Sequence, residues 1–132
     1  SAANDCFWDL DLQSGACWSN ETFQTLFGSD QEAALDKNWW QNQIHPSDRK
    51  ATLESWEASL AGNRDRWSAQ YRLQRRDGTY ATVLDRCFIL RDREGKALRA
   101  AGSLMDMSAI RAAESRLQQL ADAMPQIVWT AD

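Results

Sequence analysis

Between residues 66 and 80 the chain reads RWSAQYRLQRRDGTY, and this stretch limits the possible folds more than any other. Trp67, Ala69, Tyr71 and Leu73 share one parity, while Ser68, Gln70, Arg72 and Gln74 share the other. Successive strand side chains point to opposite faces, so the pattern predicts a strand with one apolar and one wet face. Asp77-Gly78 supplies residues suited to the positive φ of a hairpin turn. A partner strand is expected from Tyr80 to about Arg91, with a less clean alternation. A second turn at RDREGK leads to a third strand from Ala97 to about Met107, completing an antiparallel meander.

The first half has mixed periodicity. Cys6 to Leu12 alternates apolar and acidic residues in its second half, Ser14-Gly15 is a turn, and Ala16-Cys17-Trp18 a short returning strand. These two strands would complete a five-stranded sheet. Ser19 or Asn20 can cap a helix whose apolar face is Phe23, Leu26 and Phe27, with Gly28 at its exit. Ser29 and Glu32 have the spacing of a capping box. In NWWQNQIHPSDR, the adjacent Trp39 and Trp40 cannot share one helix face, so one is expected inward and the other on a partner surface. His45 is read as the cap of a helix opened by Pro46, with Asp48 in its first turn complementing the dipole. That helix should run to about Leu60, with Leu53, Trp56 and Leu60 on one face and Gly62 beyond its end.

The last helix is expected from about Ala109 to Ala123. Ile110, Ala113, Leu117, Leu120 and Met124 step by three and four residues, the a/d pattern of a coiled coil. Only about two heptads are present, a marginal length for isolated pairing. Two readings stay open: a homodimer through this helix, or packing of the helix back on its own sheet.

Composition excludes several functions. With 132 residues, 43% hydrophobic and 26% charged, the chain is sized for one globular domain. A net charge of −4, with Lys and Arg scattered among acids, argues against a nucleic-acid surface. No apolar run approaches the roughly 20 residues of a membrane span, so no direct membrane contact is expected. Cys6, Cys17 and Cys87 form no C-x-x-C and read as reduced, buried thiols. Seven Trp residues are either core fillers or the walls of an aromatic pocket. No nucleophile elbow, phosphate-cradling glycine loop or metal-ligand cluster is legible, and no acid sits in an obviously apolar context, so catalysis is not expected.

Three stretches carry a family resemblance in order. WDLDLQSGACWSNETFQTLFG resembles the opening of the PAS domain, in the subgroup with a Trp-rich first half. WWQNQIHPSDR is similar to that subgroup's His-Pro-Asp-Asp-Arg segment, with Ser47 in place of an acid. YRLQRRDGTYATVLDRCFILRDREGKALRAAGSLMDMS is similar to the C-terminal PAC motif, with Ala81-Thr82 where the family often has Arg-Trp and Ser108 in place of Thr. The resemblance covers roughly residues 5–124.

It implies an α+β PAS fold: a five-stranded antiparallel sheet, short helices on one face and a C-terminal signalling helix. The expected division is a sensor domain over residues 5–107, a connecting helix over 108–124, and over 125–132 the start of a following repeat. MPQIVWTAD supports that last part, since Trp129 and Asp132 repeat the spacing of Trp8 and Asp11. The resemblance also implies a cavity between sheet and helices, with Trp40, Ile44, Leu53, Trp56, Tyr71, Leu73 and Leu104 as candidate lining and Tyr71 as its one ready polar group. Asp106 and Ser108 stand at the family's junction before the output helix. Ser108 is expected to cap that helix, and Asp106, too far back to cap, to pair with an Arg or a sheet N–H. A haem or flavin cofactor is not expected, because the family's histidine and cysteine contexts for them are missing. The expected function is a non-enzymatic, cytoplasmic sensor that passes an unknown small-molecule or partner signal to a downstream effector. That effector would be a histidine kinase of a two-component system or a diguanylate cyclase in the same parent chain, itself open to membrane anchoring. The rival reading is a ligand-free dimerisation or spacer module in a tandem array.

Overall fold

A computed structural model describes residues 5–28 and 36–125. Its elements are β1 (Cys6–Asp11), β2 (Cys17–Ser19), α1 (Glu21–Phe27), α2 (Lys37–Gln43), α3 (Pro46–Ala61), β3 (Arg66–Gln74), β4 (Tyr80–Arg91), β5 (Ala97–Asp106) and α4 (Ser108–Ala123). The strands form one antiparallel sheet in the order β2-β1-β5-β4-β3. The expected α+β architecture is therefore present, with β5 at the centre joining the early hairpin to the later one. The Ser29–Glu32 capping box and the repeat-like Trp129 and Asp132 lie outside the described residues.

Local chemistry sets the boundaries. Asn20 opens α1, its side chain accepting from the Phe23 N–H. His45 opens α3 through Nδ1, which accepts from the Ser47 N–H at 3.0 Å, while Pro46 occupies the first turn. Gly78 sits at φ +91° in the β3–β4 turn, a conformation that penalises any residue with a Cβ. Asp48 does more than complement the α3 dipole. Both its oxygens engage the Arg72 guanidinium, at 2.9 and 3.0 Å, and one also accepts the Arg72 N–H, tying α3 to β3.

β3 has the expected parity, with Trp67, Tyr71 and Leu73 buried. β4 alternates as strictly, contrary to the irregularity expected of it. Ala81, Val83, Asp85, Cys87 and Ile89 are buried in one row, while Phe88 and Leu90 remain exposed in the other. The irregularity was one of composition: an acid and two small residues point inward, and large apolar residues point outward. Trp39 also departs from expectation. It packs on Phe23 of α1 at a ring distance of 6.0 Å, at the margin of the domain's own core, and is not turned wholly outward.

Beyond its first turn α4 leaves the sheet. Ile110, Leu117, Leu120 and Met124 are all exposed, Leu117 with 66% of its surface, so the helix does not pack back on the domain. Among the described residues no helix is long and apolar enough to cross a membrane.

Candidate functional site

The concave face of the sheet and helices α1 to α3 enclose a cavity of about 410 Å³. Its wall is largely aromatic, with rings from Trp8 of β1, Phe23 of α1, Trp39 and Trp40 of α2, Trp56 of α3, and Trp67 and Tyr71 of β3. Several of these rings meet edge to face. Trp40 lies 6.0 Å from Trp56, 6.3 Å from Trp67 and 6.1 Å from Tyr71; Trp56 lies 4.9 Å from Trp67 and 6.3 Å from Trp8. Such contacts place the positive edge of one ring against the negative face of the next.

A hydrogen-bonded chain crosses this wall. The Trp40 indole N–H donates to the Tyr71 hydroxyl at 2.9 Å, and that hydroxyl donates to Asp85 Oδ2 at 2.7 Å. From the opposite side the Trp8 indole N–H donates to Asp85 Oδ1 at 3.0 Å. Burial pushes the Asp85 carboxyl up to about 7, against the pull of the Tyr71 and Trp8 hydrogen bonds. Burial and the neighbouring Asp85 likewise push the Tyr71 phenol well above its ordinary value. These facts correct two expectations: an acid does sit in an apolar context, and Tyr71 is joined by Asp85 and two indoles as polar groups of the site. Parity along β4 was the missed signal, since Asp85 shares its face with Val83 and Cys87.

Of the seven candidate lining residues, Trp40, Trp56, Tyr71 and Leu104 reach the cavity. Ile44, Leu53 and Leu73 do not. Ile44 and Leu73 are wholly buried and bridge each other through their backbones, and Leu53 packs against the core elsewhere. Trp8 and Trp67, absent from that set, do line it. Cys17 lines it as well and is half-buried, whereas Cys6 and Cys87 are buried, their thiols pushed by burial to about 11 and about 12.

The junction at the end of β5 is the second feature. Asp106 Oδ2 accepts from Arg75 Nη2 at 3.0 Å, the expected Arg partner. Oδ1 accepts from the Ser108 N–H at 2.9 Å, so Asp106 satisfies the first turn of α4 after all. Partial burial works against its charge, yet the Ser108 N–H and Arg75 hold the Asp106 carboxyl below its usual range. Ser108 does not cap α4 with its hydroxyl. Its Oγ accepts from the Thr82 N–H at 3.0 Å, and the Met107 N–H donates to the Thr82 carbonyl at 2.7 Å. The two residues have exchanged expected roles because α4 starts at Ser108 itself, with Met107 in the capping position and the hydroxyl turned toward β4.

Comparison with known proteins agrees with this geometry. The sequence pattern of the PAS fold matches residues 17–104. The peroxide stress-activated histidine kinase mak1 of Schizosaccharomyces pombe is 34% identical over an alignment of 104 positions that covers 69% of this chain and 6% of that protein. The uncharacterized protein y4lL of Sinorhizobium fredii is 27% identical over an alignment of 97 positions that covers 68% of this chain and 12% of that one. The chain therefore spans only a small part of these relatives. Among solved structures, a sensory box histidine kinase/response regulator from Burkholderia thailandensis superposes with a TM-score of 0.70 at 23% identity, over 92% of this chain and 90% of that one. The N-terminal domain of a diguanylate cyclase with PAS/PAC sensor from Marinobacter aquaeolei gives 0.69 at 24% identity, over 81% and 98%. With more than half of its length matching the family pattern, and that pattern folded here into an antiparallel sheet around an aromatic cavity, the chain belongs to the PAS fold family.

Proposed function

We propose that this chain is a non-catalytic sensory module that converts occupancy of its aromatic cavity into a change at α4, read by an effector domain of the same parent protein. One observation carries the reading. Leu104 lines the cavity, and two residues later on the same strand Asp106 holds both Arg75 and the start of α4. A ligand that displaces Leu104 acts on a strand whose end is clamped to the output helix. The clamp has few contacts, so a small differential affinity between two strand positions suffices to bias the helix. A histidine kinase or a diguanylate cyclase is the effector class suggested by the similar proteins.

The test is Asp106→Ala in the full-length protein. The response of the effector to its stimulus should be lost, while the domain stays folded with a stability loss of about 1 kcal/mol from the missing cap and the part-exposed ion pair. Stimulated output equal to that of the wild type would refute the clamp.

The readout requires a partner for α4, and a second copy of the helix is the natural one. Ile110, Ala113, Leu117, Leu120 and Met124 form an exposed stripe among the described residues. Leu117→Asp should lower the sedimenting mass to that of a monomer at micromolar concentration. A mass unchanged from wild type would remove the helix from the dimer interface. The spacer reading expects a repeatedly empty interior by native mass spectrometry, whereas the sensory reading expects a retained small molecule.

A further inference from the structure

Resting on the reading of the cavity as the sensory site, we infer that its ligand is an organic cation, an alkylammonium or arylalkylammonium ion held in the aromatic wall beside Asp85. The hydrogen-bonding inventory of the wall points this way. The indole N–H groups of Trp8 and Trp40 and the hydroxyl of Tyr71 are committed to the Asp85 chain. The Trp67 N–H is committed to Ser55 Oγ at 3.0 Å. Asp85, in contrast, has accepted two hydrogen bonds where a carboxylate offers about four lone-pair sites. With Asp85 ionised, as a bound cation would hold it, the free capacity beside it is acceptor capacity, which suits a donor or a positive charge.

Charge agrees with hydrogen bonding. The ionisable carboxyl groups lining the cavity are Asp11, Asp36, Glu57 and Asp85, against the single cation Lys37 among the described residues. Lys37 is already paired with Glu57 at 2.6 Å. None of the ion pairs among the described residues includes Asp85, so the buried carboxyl has hydrogen-bond donors but no counter-charge. A bound ammonium would supply one, and the negative ring faces of tryptophan and tyrosine would solvate its remaining surface in place of water. The volume of about 410 Å³ accommodates a small organic body beyond the ammonium group.

The probes are choline and phenethylammonium, each titrated calorimetrically against its neutral counterpart, dimethylbutanol and phenethyl alcohol, with phenylacetate as the anion. At least one cation should bind roughly tenfold or more tightly than its neutral counterpart, a factor within reach of desolvated cation–π contacts, with phenylacetate weakest. Asp85→Asn should erase that preference; the wild-type comparison stands even where the variant folds poorly. A neutral alcohol or phenylacetate binding as tightly as the cations would overturn the charge assignment and leave the sensory reading intact. Absence of binding by every probe would overturn the cation assignment too. If native mass spectrometry then found no retained molecule, the sensory reading of the cavity would fall with it.

Discussion

Gly102→Ala is expected to destabilise the domain by about 3 kcal/mol, more than a single methyl group ordinarily costs. A Cβ at this position would stand 1.9 Å from the Arg86 carbonyl oxygen and 2.7 Å from both Cα and Cβ of Cys87. Two of those three atoms are backbone, so no rotamer change relieves the contact. Gly102 lies opposite Cys87 on β4 and opposite Trp8 on β1, in the middle of the central strand. Relief requires β4 and β5 to separate, which breaks ladder hydrogen bonds and moves Asp85 and Leu104 in the cavity wall. Space and not conformation is the constraint, unlike at Gly78. Denaturant unfolding of Gly102→Ala beside Ser103→Ala is the measurement. Ser103 is half-exposed and should tolerate the change; equal midpoints for both variants and the wild type would show that the close approach is not enforced.

Asp85 produces the second large effect, one of pH. Its carboxyl titrates at about 7 in the folded domain and near the ordinary 3.8 when unfolded. Between those values the native state keeps a proton that the unfolded chain has released. The associated stability is complete below the unfolded pKa and is lost as pH rises through the folded one. Across roughly pH 4 to 7 stability should fall by up to about 1.4 kcal/mol per pH unit, on the order of 4 kcal/mol in all, and then level off. Few other groups confuse this window. Cys6, Cys87 and Tyr71 are pushed upward by burial, and Asp9, Asp48 and Asp106 are held low by their Arg99, Arg72, and Ser108 and Arg75 partners. Asp85→Asn cannot ionise and should flatten the profile, at a pH-independent cost of about 1 kcal/mol for the hydrogen bond that the amide cannot accept. Urea midpoints recorded against pH decide the matter: a slope that persists in the variant would assign the titration elsewhere.

Features governed by near neighbours in sequence were the legible ones. His45 before Pro46, Asn20 before α1, Asp77-Gly78 and the Trp67-Tyr71-Leu73 row each depend on residues within a few positions. They are found where expected because caps, turns and parity are local properties. Asp85 was hidden because its strand reverses the usual binary pattern. Large apolar residues at the outward positions Phe88 and Leu90 make the alternation look less clean, although Val83, Asp85 and Cys87 keep strict parity. The exchange at the junction was hidden for a different reason. Whether Ser108 caps α4 or bonds Thr82 depends on how closely β4 approaches the end of β5, between residues 26 positions apart in the chain. The cavity set was half legible, since inward parity selects the elements that face the space but not the side chains that reach it. Ile44 and Leu73 face inward and are consumed by packing.

The sequence by itself determined the order of the elements, the turns between them and the inward parity of β3, because each follows from hydrogen-bonding and steric preferences over a few residues. Only the tertiary structure decided that Trp8, Tyr71 and Asp85, up to 77 residues apart, share one hydrogen-bonded chain in a cavity wall. It alone decided that Asp106 and Ser108 divide the work of joining helix to sheet, and that Gly102 permits two strands to touch. The physical reason is range. Periodicity is written in adjacent side chains, whereas the ionisation of a buried acid and the volume of a cavity depend on which distant elements meet and how completely they exclude water.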